Sequence, residues 1–359
     1  MVLKDRISRI HRLEELLGYA FKTLKKLYIP KIRSIVLPVG LTEESDLAID
    51  FSFRLAKRFR SKIKVLGFKK LLEDKTREKV SECIRKLKKR GITKVERIIV
   101  EDFASEEIAK LIKGIPVEEV MVKRIKSFDL VVFPIPLTLD IEPYSSLEEK
   151  GTVYIDVIRS LVRKYANPVL LVKKTEYDEA NVFGSVMVTI YNIDEIYSMI
   201  PIVLAVADPK AEIMLSYLID EGFLESIRGT MHELSEEAVE VEWKIEELVK
   251  DKVDSKIEEI EPKIAEMGFN PFHVIAYGET ISTLQTLADK NNMGLIVLTG
   301  YGAIKLMEPE IMKLALEINR PMLIMPSTST REKSEIEHEE ILHKKQESME
   351  PPEEDKKID

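Results

Sequence analysis

The sequence predicts an α/β fold built from two tandem domains, each with a five-stranded parallel sheet of the Rossmann-like type. Short continuous apolar runs alternate with helical patterns, as in parallel sheets covered by helices on both faces. The same order of elements occurs twice along the 359 residues, which indicates an internal repeat. A hydrophobic content of 45% is enough for two cores.

The first domain is predicted over residues 34–174. Its first strand is followed by Thr42–Glu–Glu–Ser45, a sequence that can cap the next helix. Further helices are predicted over about 71–90, from Ser105 onward, and over about 153–165. The five strands are 34–39, 63–68, 96–100, 129–133 and 168–172.

The second domain is predicted over residues 185–326, with a helix from Asp194 to about Ala207. Leu55–Ala56 of the first copy corresponds to Leu204–Ala205 of the second. Asn167–Pro168 likewise corresponds to Arg320–Pro321. The five strands of this copy are 185–190, 212–217, 272–276, 295–298 and 321–325.

An acidic helical insertion is predicted in the second domain at about 224–268. Residues 231–268 hold thirteen Asp/Glu and five Lys/Arg, and apolar residues recur there at helical spacing. Bends are predicted near Asp251 and at Pro262, and Trp243, the only tryptophan, lies off the apolar stripe. We expect the apolar face to cover the sheet of the second domain; the alternative is an acidic docking arm.

The two ends differ from the middle in charge. Residues 1–33 hold nine Lys/Arg and three Asp/Glu, and their apolar residues share one helix face, so a basic amphipathic helix is predicted. We expect it to pack on the chain's own domains or on a dimer mate; the alternative is that it lies on an anionic membrane surface or docks on another partner. Residues 327–359 form a charged tail whose composition predicts disorder.

Composition excludes several classes of protein. A net charge of −8 argues against a nucleic-acid binder. One cysteine, Cys83, excludes an internal disulfide, and no apolar run approaches the roughly 20 residues that cross a bilayer, so a cytoplasmic protein is expected. No nucleophile elbow, Walker loop or His-Glu-x-x-His pattern occurs. His273 is interpreted as a satisfied core or sheet-end histidine on a buried strand, and no catalytic residue or metal site is nominated.

Short motifs stand in the same order in both copies. They are Ile35–Val39 with Glu43–Ser45, Asp129–Val132 and Leu161–Val172 in the first, and Leu295–Leu298 and Asn319–Ile324 in the second. This layout resembles the universal stress protein family over about 34–173 and 185–326. The resemblance implies the adenine nucleotide alpha hydrolase-like fold, with the two domains joined through their fifth strands as a pseudo-dimer.

ATP-binding members of that family carry Gly-x2-Gly-x9-Gly-Ser/Thr after the fourth strand and an Asp after the first. Glycines let backbone N–H groups approach phosphates at a helix N-terminus. In the first domain the two glycine positions fall on Pro134 and Leu137, and the Gly-Ser position falls on Ile155–Asp156, or on Gly151–Thr152 one turn earlier. The Asp position reads Gly40. The resemblance therefore implies an eroded phosphate site.

The second domain keeps more of the pattern. Its glycine positions fall on Thr299 and Gly302, with Gly300 between them, and Asn192 occupies the region of the ribose contact. The Gly-Ser position falls on Glu308–Pro309, which places a negative charge near the terminal phosphate. Asn192, Thr299, Gly300 and Gly302 are the candidate residues for ATP or another adenine nucleotide.

The function expected from the resemblance is regulatory: a stress-response protein that acts mainly by binding proteins or by self-association, without a cofactor. One alternative is an adenine-nucleotide sensor or slow ATPase that uses the second domain. Another is a membrane-surface partner of a transporter, bound through residues 1–33.

Overall fold

A computed structural model gives the architecture of the chain. It describes residues 27–39, 45–69, 75–102, 104–112, 126–135, 157–158, 160–161, 167–173, 179–190, 196–220, 238–278, 280–298 and 318–326. The charged tail at 327–359 and residues 1–26 of the basic segment lie outside these residues, so both predictions stay open there. The predicted helix over 1–33 does not extend to Arg33, because Lys31–Pro38 form a strand. Among the described residues, no helix combines the length and apolar character that a membrane span requires.

Ten strands form one mixed sheet, and all ten coincide with predicted strands. The first five are β1 (Lys31–Pro38), β2 (Lys62–Phe68), β3 (Val95–Val100), β4 (Ser127–Pro134) and β5 (Val169–Val172). The second five are β6 (Ser185–Ile190), β7 (Glu212–Asp220), β8 (Asn270–Gly278), β9 (Leu295–Leu298) and β10 (Met322–Ile324).

The order of the strands is mirrored between the two halves of the sheet. It runs β3-β2-β1-β4-β5 and then, mirrored, β10-β9-β6-β7-β8. Neighbouring strands are parallel within each half, and the halves meet where β5 pairs antiparallel with β10, as the resemblance implied. The predicted α/β class with parallel sheets is therefore confirmed. Because the sheet is continuous, the domain boundaries at 174 and 185 stay predictions.

Helices cover both faces of the sheet. Those described are α1 (Ser45–Phe59), α2 (Thr76–Lys89), α3 (Ser105–Ala109), α4 (Ile196–Val206), α5 (Ala238–Glu266) and α6 (Thr280–Lys290). Side chains alternate along each strand, so Ile35 and Leu37 enter one core with α1, α2, α4 and α5, whereas Val36 enters the other with α3 and α6. The first core includes buried residues of both halves and joins them.

Helix α5 repeats α2 at its C-terminal end. Gly91 and Gly268 both have positive φ, and the N–H of the next residue returns to Leu87 O in one helix and to Ile264 O in the other. In this alignment Thr76, the first residue of α2, corresponds to Val253. Helix α5 is therefore longer than α2 by residues 238–252, all of them at its N-terminal end.

The apolar face of α5 covers the sheet as expected. Val253, Ile257, Ile260 and Ile264 are each at most 1% exposed. The helix runs without a break through Asp251 and Pro262, the two positions where bends were predicted. Helix α5 thus covers the sheet from Val253 onward. Residues 238–252, which precede Val253 in the helix, have no counterpart in α2.

Two arginines of α1 fasten the first half to the second. Arg58 donates hydrogen bonds to the carbonyls of Ala205 (3.0 Å) and Val206 (3.1 Å) and also to that of Ala207, at the C-terminal end of α4. It also forms an ion pair with Asp208, to which Arg54 is bonded at 3.1 Å. A cation at a helix C-terminus satisfies carbonyls that lack intrahelical partners.

Candidate functional site

Each half of the sheet has a topological switch point. β1 lies between β2 and β4, and β6 lies between β7 and β9, so consecutive connections leave the first strand in opposite directions. Ligands of doubly wound sheets bind outside the carboxyl ends of the strands at this point. The two candidate clefts are therefore at the ends of β1 and β4 and at the ends of β6 and β9.

In the second half, the strands that lead to the predicted nucleotide residues end side by side. Thr189 of β6 is the register partner of Leu298 of β9, and the Thr189 hydroxyl donates a 2.6 Å hydrogen bond to Val297 O. Asn192 follows Ile190 by two residues, and Thr299 directly follows Leu298. The segments that lead to Asn192 and Thr299 therefore begin at the neighbouring ends of β6 and β9.

The four predicted nucleotide residues themselves lie outside the described residues. This holds for Asn192, Thr299, Gly300 and Gly302, and also for Glu308. Their assignment to an adenine-nucleotide site stays a prediction. The register of Thr189 and Leu298 shows only that β6 and β9, the strands that precede these residues, end side by side.

In the first half, the backbone after β4 is already engaged. Val131 N bonds to Pro168 O as Ile296 N bonds to Pro321 O, so Phe133 corresponds to Leu298 and Pro134 to Thr299. Pro134 is paired with Val172 of β5, and the N–H of Ile135 donates a 2.7 Å hydrogen bond to Val172 O. Proline offers no donor, so two successive residues at this strand end have no N–H free for a phosphate.

Buried side chains also block the end of β4. Ile135 is 3% exposed and belongs to the core shared with Phe133 and Leu171. The other first-half positions compared with the family motif, Gly40, Leu137 and the segments 151–152 and 155–156, lie outside the described residues. What the described residues contain is a fourth strand that continues as paired, buried backbone where a phosphate loop would begin.

Two further residues singled out in the sequence are described. Cys83 is buried in the core under α2, and burial raises the pKa of its thiol to about 12, so it is a packed thiol rather than a nucleophile. His273 was interpreted as a satisfied core or sheet-end histidine on a buried strand. Its side chain is satisfied by Glu261 at 2.9 Å, but the buried position is wrong, because β8 is an edge of the sheet and the side chain is 38% exposed. The described residues hold no cluster of metal-ligating side chains.

Sequence reasoning missed the contacts around Arg54, Arg58 and Asp208. The two arginines are four residues apart, hence on one face of α1, but their partners are more than a hundred residues away in the chain. Tyr197 of α4 was missed as well: the ammonium groups of Lys256 and Lys263 each lie 5.5 Å from its ring centroid. Burial first, and then a hydrogen bond with Glu259, raises the pKa of Tyr197.

With this geometry in view, known structures provide a comparison. The chain resembles universal stress proteins. A universal stress protein from Archaeoglobus fulgidus is 13% identical, covers 82% of this chain and 97% of its own, and has a TM-score of 0.49. A universal stress protein in complex with cAMP is 18% identical over 40% of this chain and 97% of its own, with a TM-score of 0.28.

A similarity of another kind also occurs. The cytoplasmic domain of a prokaryotic cation chloride cotransporter is 10% identical, covers 83% of this chain and 96% of its own, and has a TM-score of 0.40. No family model matches the sequence, and neither does any curated protein. At these identities the similarity concerns the α/β fold, and function has to be argued from the residues of this chain.

Proposed function

We propose that this chain is a regulatory protein of the universal stress protein type that acts by binding proteins and does not bind ATP in its first half. The observation that carries the proposal is the bond from Ile135 N to Val172 O directly after Pro134. A triphosphate needs free N–H groups at this strand end. Binding it here would break a buried backbone bond and expose Ile135, which is 3% exposed.

The protein-binding role is supported by helix α5. A helix that returns between two parallel strands runs against them, so the N-terminal end of α5 points to the carboxyl edge of the sheet. Residues 238–252 extend α5 beyond the equivalent of α2 by about 22 Å at 1.5 Å per residue. The whole helix holds ten Asp/Glu and five Lys, so we expect a partner with a basic surface.

Calorimetry tests the nucleotide part of the proposal. Titration of the full chain with ATP, ADP and AMP at millimolar concentration should give no binding heat. Micromolar binding of nucleotide with a stoichiometry of two would contradict the closed first half. Micromolar binding that the substitution Ile135→Asp abolishes would contradict it as well. Ile135→Asp is paired with Ile112→Asp, a buried isoleucine of the same core, as a control for loss of folding.

Charge substitution on α5 tests the protein part. Glu240, Glu242, Glu246 and Glu247 lie in the segment that α5 has in addition, and replacing all four by glutamine removes its acidic character without changing side-chain size. The full chain is used as bait beside this variant and beside a control with Glu78 and Glu82 of α2 replaced by glutamine. A partner retained by the wild type and the control but lost by the α5 variant is the expected result; equal retention by all three contradicts the role of α5.

A second candidate function is adenine-nucleotide binding by the second half. It is favoured by the register of Thr189 with Leu298, which brings the strands leading to Asn192 and Thr299 together. Under this hypothesis the same calorimetry gives a stoichiometry of one. Gly300→Val or Gly302→Val would then abolish the heat, because a side chain at either glycine blocks the approach of backbone N–H groups to phosphate.

A further inference from the structure

Strand β8 is one of the two edges of the sheet. The N–H of Asn270 bonds at 3.0 Å to the carbonyl oxygen of Ala211, the residue before β7, so the backbone groups of Asn270 and of every second residue after it face β7. Those of His273, Ile275 and Tyr277 face outward. Within the described part of the chain, these three residues make no backbone hydrogen bond on the outer side. Pro271, the remaining outward residue, presents a carbonyl oxygen but no N–H on that side.

The nine residues of β8 contain no Asp, Glu, Lys or Arg. His273, Ile275 and Tyr277 also share one face of the strand, where Ile275 packs on the core and Tyr277 is 46% exposed. Tyr277 and Tyr28 are the two large hydrophobic side chains that are exposed among the described residues. Natural sheets usually guard an exposed edge with charge, with proline or with a short strand. In β8 the one such guard is Pro271, the second residue of the strand, and the outward residues His273, Ile275 and Tyr277 that follow it carry none.

The opposite edge, β3, has such a guard. The bond from Ile63 N to Lys94 O shows that Val95, Arg97 and Ile99 face outward there. If two β3 strands paired about a two-fold axis through the middle of this set, Arg97 would oppose itself. Like charges directly opposite each other destabilise a strand pair. The same operation on β8 places Ile275 opposite Ile275, with no charge repulsion.

We propose that two copies of this chain associate by antiparallel pairing of their β8 strands about a two-fold axis at Ile275. The axis makes the contact isologous and closed, as most homodimer contacts are. Three hydrogen-bonded residue pairs result, with Ile275 opposite itself and His273 opposite Tyr277 on both sides. Each such pair exchanges two backbone bonds, so the outward N–H and C=O groups of His273, Ile275 and Tyr277 all find partners.

This pairing differs from the contact between the two halves of one chain. β5 and β10 are already paired with each other, so the fifth strands offer no edge to a second copy. Only β3 and β8 are edges of the described sheet. The pairing does not depend on the proposed closure of the first cleft, and calorimetry with ATP cannot decide it.

Sedimentation equilibrium of the full chain is the first test. The expected result is a reversible dimer with twice the monomer mass of 41.3 kDa. A monomer at every accessible concentration would overturn the proposal, and so would a dimer whose strength does not respond to substitutions on β8.

Two variants that differ only in the sign of one charge test the register. His273→Lys with Tyr277→Lys places like charges opposite each other in the pairs, and the dissociation constant should rise about tenfold or more. His273→Lys with Tyr277→Glu places opposite charges there and should restore the dimer. Tyr28→Lys makes the same change at the other exposed tyrosine and should leave the dimer as it is. Equal effects of the two double variants would refute the register.

Disulfide trapping provides a measurement that does not rely on weakening the dimer. In the variant His273→Cys with Tyr277→Cys, the proposed pairs bring Cα atoms to about 5.5 Å, within reach of a disulfide. The native thiol of Cys83 is buried and does not compete. Oxidation should yield a covalent dimer. The control is Val95→Cys with Ile99→Cys on β3, and an equal yield from this control would contradict pairing through β8.

Discussion

Of the residues where the two halves meet, Arg58 is the one whose replacement should lower the stability most. Its side chain is 23% exposed and donates to three carbonyls at the end of α4 as well as to Asp208. Burial lowers the pKa of the Arg58 guanidinium, and the nearby carboxylate of Asp208 opposes that shift. Its hydrogen bonds are therefore made by a partly desolvated cation.

The magnitude follows from these contacts. A hydrogen bond to a charged group contributes about 1.5–3 kcal/mol, and a cation at a helix C-terminus adds about 0.3–1 kcal/mol. We expect Arg58→Ala to lower the free energy of unfolding by about 2–4 kcal/mol. Arg58→Lys should recover part of this, because lysine keeps the charge but lacks the planar fork that reaches several acceptors at once.

Urea unfolding followed by circular dichroism measures the effect. A double-mutant cycle with Asp208→Ala should give a coupling of about 1–2 kcal/mol. Arg85→Ala, at an exposed arginine of α2, is the matched control and should cost under about 0.5 kcal/mol. If Arg58→Ala costs no more than this control, the contact between α1 and α4 does not hold the halves together.

Three further predictions concern other parts of the fold. Gly67→Ala should lower the free energy of unfolding by about 1–3 kcal/mol in the same urea assay, because its Cβ would lie 2.5 Å from a Val80 methyl carbon; an unchanged midpoint contradicts that packing. Cys83 should react with a thiol reagent only when the chain unfolds, since the pKa of its thiol is about 12, and rapid labelling of the native protein would be the opposite result. The pKa of Glu259 is lowered, first by its hydrogen bond to Lys263, so the pair stabilises above the ordinary carboxyl pKa and this contribution is lost as pH falls through the folded value. Lys263→Met should therefore shrink the loss of stability between neutral pH and about pH 3, by under about 1 kcal/mol for so exposed a pair; an unchanged difference would show that the pair contributes nothing.

The strands could be predicted because their signal is local. Runs such as Leu130–Phe133 and Leu295–Leu298 are apolar throughout, since strands buried on both faces need no alternation. The ends of the strands were predicted less accurately, for a physical reason. β1 begins at Lys31 rather than Ser34, because Lys31 and Ile32 pair with Ser127 and Phe128 of β4, neighbours that only the folded sheet provides.

Other features depend on contacts between distant segments. The sequence shows that Arg54 and Arg58 share a helix face, but nothing local predicts that Asp208 and the end of α4 meet them. His273 was placed in a buried strand because Val274 and Ile275 are apolar, and that sequence does not reveal that β8 is an edge. The proline at 134 was recognised as lacking a donor, whereas the use of the next N–H by Val172 needed the pairing of β4 with β5.

Amide hydrogen exchange at Ile135, with and without millimolar ATP, tests the closed first cleft most directly. Because the Ile135 N–H is bonded to Val172 O and buried, it should exchange as slowly as the N–H of Val131 inside β4, and ATP should leave its rate unchanged. Exchange at the rate of an exposed amide, or new protection when ATP is added, would show that this N–H is free to meet a phosphate.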